Sequence, residues 1–91
     1  MRNLNELRPE IDAIDQEMQA LFERRMAIAG EVAAYKKANG LPVLDEGREE
    51  ALLEKLRDRA SDPEMGEAIV RLYEALLAVS RDYQTRRIDH D

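Results

Sequence analysis

The chain has 91 residues and a net charge of −6; 37% of its residues are charged and 4% aromatic, with no Cys, no Trp and a single His, at position 90. That length allows one small domain, near the lower limit for a chain that buries enough surface alone. The acidity argues against nucleic acid as the main partner, and the lack of Cys and near-lack of His argue against a disulfide framework, a thiolate or histidine metal centre and a Ser-His-Asp triad.

The Ala, Leu, Glu and Arg content favours helices, and the scarcity of aromatic and β-branched residues disfavours a β-sandwich. No basic segment followed by an apolar one opens the chain, and no window approaches the ~20 apolar residues of a membrane span. The expectation is a soluble, cytoplasmic, all-α protein with no membrane partner.

The first helix is expected over about residues 5–38. Steps of three and four from Leu4 give Leu7, Ile11, Ile14, Met18, Leu21, Arg25, Ile28, Val32 and Tyr35, all apolar or aromatic but one. Asn39-Gly40 followed by Pro42 is the stop signal: a left-handed cap, then a residue that cannot continue the helix. At ~1.5 Å per residue this helix is roughly 50 Å long, whereas a compact monomer of this length has a radius of gyration of about 12 Å. The helix overhangs its own domain, so part of its apolar stripe needs another chain, most simply in a two-fold dimer.

The second helix, about 45–60, starts at Asp45 as N-cap and runs through Leu52, Leu53 and Leu56. The third, about 63–88, is announced by "SDPE", where Ser61 and Glu64 fit a capping box and Pro63 suits the first turn. It continues through Met65, Ile69, Leu72, Leu76, Val79 and Tyr83. The link "NGLPVL" is short and partly apolar, which predicts that it packs.

Several polar residues stand on apolar stripes. Arg25 occupies the helix-one seam; a lone seam arginine often lays its stem on apolar surface or fixes register. Lys36, however, follows eleven residues later at nearly the same helical angle, ~16 Å along the axis, leaving room for a small anion between the two cations. On helix two, Arg48 and Glu49 lie one turn before Leu52 and Leu53, with Asp45 at the cap. On helix three, Ser80 and Gln84 flank the stripe of Leu76 and Tyr83. Singly, each reads as a cap, an ion pair or a solvated edge. Together the five on helices two and three are inward polar side chains, and burying them unpaired costs several kcal/mol against a total stability of ~5–15. A ligand is the economical explanation. Arg8, ~25 Å before Arg25 along the helix, cannot serve the same pocket from the same chain. It reaches a partner's pocket or is an ordinary first-turn arginine.

These segments closely resemble the all-helical chorismate mutases over nearly the whole chain. "LRPEIDAIDQEMQALFERR" is similar to that family's opening and "ERRMAIAGEVAAYKK" to its Arg-to-Lys segment. "LPVLDEGREE" carries an Asp-x-x-Arg-Glu signature at Asp45, Arg48 and Glu49, and "IVRLYEALLAVSRDYQ" resembles the closing segment with Ser80 and Gln84. The resemblance implies three-helix chains in an intertwined two-fold homodimer, rearranging the dianion chorismate to prephenate in aromatic amino acid biosynthesis without cofactor or metal. It implies that Arg25 and the partner's Arg8 bind the two carboxylates, and that Arg48 and Ser80 hold the anionic end. Asp45 and Glu49 would position the ring hydroxyl, while Lys36 and Gln84 act on the ether oxygen. An isochorismate pyruvate-lyase on the same scaffold is the nearest alternative reading, and a non-catalytic helical dimerisation or regulatory module the next. Gly30 and Gly47, inside predicted helices, replace no motif position; close approach of another helix is the expected reason for Gly30.

Overall fold

Each helix starts at a short-range cap, and the first two also stop at one. The structure, a computed structural model, describes residues 1–90, the last of them by its backbone, and is built from α1 (Leu4–Ala38), α2 (Glu46–Arg59) and α3 (Pro63–His90). The Asn3 side chain caps α1 by accepting from the Glu6 N–H at 3.1 Å. At its other end Gly40 takes φ 65°, the left-handed conformation expected there. The Leu41 N–H then bonds to the Lys36 carbonyl (2.8 Å) and the Gly40 N–H to that of Lys37 (3.3 Å), which together form a Schellman motif. The Asp45 carboxylate caps α2, accepting from the Arg48 N–H at 3.1 Å.

At α3 the capping expectation is corrected. Asp62, not Ser61, is the cap: its Oδ1 accepts from the Met65 N–H at 2.8 Å. Pro63 is the first helical residue, so the cap falls at position 62 and the third helical residue is Met65. The Ser61–Glu64 spacing therefore forms no capping box.

The helix α3 packs against both others. Gly30 lies opposite Tyr83, and the Lys37 Nζ donates to the Ile88 carbonyl at 3.3 Å, so α1 and α3 run in the same direction. The helix α2 runs antiparallel to α3, with Glu49 beside Arg81 and Arg57 beside Glu67 (3.5 Å). Gly66 lies at this crossing. A Cβ there would stand 3.4 Å from the Arg57 carbonyl oxygen and from its Cγ.

The buried apolar residues are Met26, Ala29 and Ala33 of α1 with Val70 and Leu77 of α3. On both helices this face lies one residue round from the stripe read in the sequence. Ile11, Ile14, Met18, Leu21 and Ile28 are more than half exposed, and Met65, Leu72 and Val79 of α3 are exposed too. Apart from half-buried Leu7, every residue from Leu4 to Arg24 is exposed. The radius of gyration is 16.5 Å and the extents are 56 × 27 × 14 Å, against about 12 Å for a compact chain of this length. An apolar stripe this long and bare is the kind of surface a partner covers.

The close-approach expectation for Gly30 is corrected, because there is room for a methyl. A Cβ would sit 3.7 Å from Tyr83 Cε1 and 3.9 Å from its hydroxyl, ordinary contact distances. Since glycine inside a helix costs about 1 kcal/mol relative to Ala, Gly30→Ala should raise Tm by about 4–8 °C for a domain of this size. Thermal unfolding followed by circular dichroism at fixed protein concentration checks this; an unchanged or lower Tm contradicts it.

Candidate active site

The Schellman stop turns the chain back over the last turns of α1, setting the start of α2 beside Lys36. The Lys36 Nζ fastens this corner by donating to the Val43 carbonyl at 2.7 Å. Of the link, Val43 is half-buried and packs, while Leu41 and Leu44 stay exposed. The expectation of a packed link holds at Val43 alone.

Below the corner, the three helices enclose a cavity of about 310 Å³, at the small end of ligand sites. Arg25 and Lys36 reach it from α1, Asp45, Arg48 and Glu49 from the start of α2, and Ser80 and Gln84 from α3; Ile28, Val32, Leu52 and Leu77 supply its apolar lining. Seven of the eight candidate side chains are thus brought together. Arg8 is the exception. It is exposed and does not line the cavity.

Ser80 and Gln84 do not flank the covered face of α3, as expected, but lie in it, at 4% and 8% exposure. The Gln84 Nε2 donates to Ser80 Oγ at 3.2 Å. Its Oε1 is buried with no hydrogen-bond partner, a state that costs about 1–3 kcal/mol. A half-turn of the amide exchanges the two atoms. Ser80 then donates to Oε1, and Nε2 becomes the group in need of an acceptor. Lys36 likewise spends one of its three N–H donors on Val43 and keeps two.

One charged lining residue escaped the sequence reading. Arg81 donates to Glu49 Oε1 at 2.5 Å across the α2–α3 crossing. Its signal was present: Leu77, Ser80, Arg81 and Gln84 follow the i, i+3, i+4, i+7 spacing of one helical face, but centring the stripe on Leu76 and Tyr83 placed Arg81 off it. With Arg81 included, four cationic side chains face two acidic ones in the cavity, although the chain as a whole carries −6. Such a concave cationic patch selects small anions, and arginine's planar fork suits carboxylates.

Among the described residues, no group of three or more His, Cys, Asp or Glu side chains is placed to hold a metal ion, and no helix is long and apolar enough to cross a membrane.

The chain is similar to known proteins over most of its length. The family model described as chorismate mutase type II matches residues 7–85. The T-protein of Haemophilus influenzae is 39% identical over 57 residues, which is 63% of this chain but only 15% of that protein. A chorismate mutase of Methanocaldococcus jannaschii is 26% identical over 90 residues, covering 98% of this chain and 91% of the relative. A 4-amino-4-deoxychorismate mutase of Streptomyces venezuelae is 29% identical over 75 residues, 81% of this chain and 73% of the relative.

Proposed function

The chain belongs to the chorismate mutase type II family, and from that premise we propose that it is an isomerase that rearranges chorismate to prephenate in the cytoplasm, for aromatic amino acid synthesis. One observation carries the reading. Side chains spread from position 25 to position 84 converge on a cationic cavity, where a buried amide and a lysine ammonium stand beside arginines.

A Claisen rearrangement needs no nucleophile and no proton shuttle. It needs a flexible dianion folded so that its two ends meet, and donors fixed where negative charge grows on the ether oxygen. Arg25 binds one carboxylate, and Arg48 with Ser80 holds the anionic end. Glu49 and the backbone at Asp45 meet the ring hydroxyl. Lys36 and Gln84 donate to the ether oxygen, Gln84 through the amide orientation in which Ser80 satisfies its carbonyl. A millionfold acceleration asks for ~8 kcal/mol, within reach of two aimed donors and preorganisation. The second carboxylate falls to Arg8 of a partner chain in an intertwined homodimer. The bare α1 stripe from Ile11 to Leu21 and the 16.5 Å radius of gyration support that assembly.

The test is loss of chorismate absorbance with the purified chain, with prephenate identified as product. Salicylate from isochorismate would instead establish the pyruvate-lyase reading, and no turnover by a stable dimer the non-catalytic one. Substrate choice has one further branch, since the Streptomyces relative is named for a substrate with an amine in place of the ring hydroxyl. We assign the hydroxyl form here.

The role of Gln84 has its own signature. An amide donates at every ordinary pH, whereas a carboxyl in its place donates only when protonated. Burial raises the pKa of a carboxyl, so Gln84→Glu should be active below that raised pKa and lose about tenfold per pH unit above it. The pH optimum moves toward acid. A profile matching the parent's removes Gln84 from the ether oxygen.

A further inference from the structure

Both acidic side chains at the cavity are already engaged. Asp45 Oδ1 accepts from the Arg48 N–H at 3.1 Å as the cap of α2, and Glu49 Oε1 accepts from the Arg81 guanidinium, in a pair whose side chains are 22% and 35% exposed respectively. None of the roles assigned above uses Arg81. We propose that Arg81 is a specificity-determining residue: paired with Glu49, it makes the cavity choose a substrate with a neutral hydroxyl on the ring over one with a protonated amine at the same position. This rests on the reading that Glu49 faces that ring substituent.

The discrimination follows from donor and acceptor arithmetic. A hydroxyl both donates and accepts. The pair offers it both partners, the Glu49 oxygen that Arg81 leaves free and the remaining guanidinium N–H groups. An ammonium has three donors and no acceptor. Beside the pair it finds a carboxylate whose charge Arg81 already offsets, and guanidinium N–H groups that point a like charge at it. In a half-buried site a like charge at contact distance is screened far less than at the surface. Without Arg81, the Glu49 carboxylate would be the natural seat for the amine. Selection here therefore works by repelling the wrong substrate as well as by holding the right one.

The experiment measures kcat/KM for chorismate and for 4-amino-4-deoxychorismate with the parent chain, Arg81→Met, Arg81→Gln and Arg81→Lys, with helicity checked for each by circular dichroism. In Arg81→Met and Arg81→Gln the preference should move toward the amine by about tenfold or more. Arg81→Lys should stay near the parent ratio. Adding Glu49→Gln to Arg81→Met should erase the gain, as should raising the pH until the amine is neutral. If the parent consumes chorismate and both neutral variants lower the two substrates equally, Arg81 serves packing or a shared carboxylate and the inference is overturned. If the parent consumes neither substrate, the site reading fails and takes the inference with it.

Discussion

Lys36→Met is expected to lower kcat for chorismate by about a thousandfold while KM changes little, because a donor aimed at charge that develops only in the transition state contributes to the chemical step and not to ground-state binding. Met keeps the unbranched apolar stem of the side chain and lacks only the terminal ammonium. It loses the charged hydrogen bond from Lys36 Nζ to the Val43 carbonyl, worth about 1.5–3 kcal/mol, less than the ~5–15 kcal/mol of a typical domain, so the fold should survive. Steady-state kinetics on a variant of near-parental Tm separates the two contributions. A kcat within a few-fold of the parent would show that Lys36 only pins the α1–α2 corner. The result also bears on the non-catalytic alternative: a dimerisation module would tolerate losing this charge, whereas an enzyme loses its turnover.

The second large effect is a restoration. Arg8 lies on the exposed stretch of α1, ~25 Å from Arg25 by helix geometry, so in a shared-site dimer the two arginines of one pocket come from different chains. Arg8→Ala and Arg25→Ala homodimers should each lose on the order of a hundredfold or more in kcat/KM, as both of their sites lack a carboxylate anchor. Mixing the two variants under conditions that exchange chains pairs an intact Arg25 with an intact partner Arg8 in one site of every mixed dimer. With random exchange, half the dimers are mixed and half their sites complete, so about a quarter of parental activity should return by two-fold symmetry. Chains shown to exchange by mass spectrometry, with no return of activity, would overturn the shared site.

Helix boundaries were legible because the interactions that set them span only a few residues. Asn39, Gly40 and Pro42 announce the end of α1 whatever else the chain does, and Asp45 caps α2 from three residues before Arg48. Even the one error of this kind, Ser61 for Asp62, is a displacement of a single residue. The convergence of Arg25, Lys36, Asp45, Arg48, Glu49, Ser80 and Gln84 was legible in another way. Helical spacing marked them as polar groups on apolar faces, and the family resemblance joined them into one set.

What the periodicity left open was which edge of each stripe is covered. Successive residues on a helix differ by about 100°, and an apolar stripe is at least that wide, so a shift of one position is invisible in the pattern. That shift decided three matters at once: that Met26, Ala29 and Ala33 face α3, that the Ile11–Leu21 stretch stays bare, and that Arg81 turns into the cavity. The chain's own sequence determined its helices, their stops and an anion-seeking set of side chains, through contacts a few residues apart. Only the tertiary structure decided which faces meet, that Glu49 is held by Arg81, and that Gln84 is left with a buried unpaired oxygen. Those depend on where helices distant in sequence cross, and no local preference encodes that.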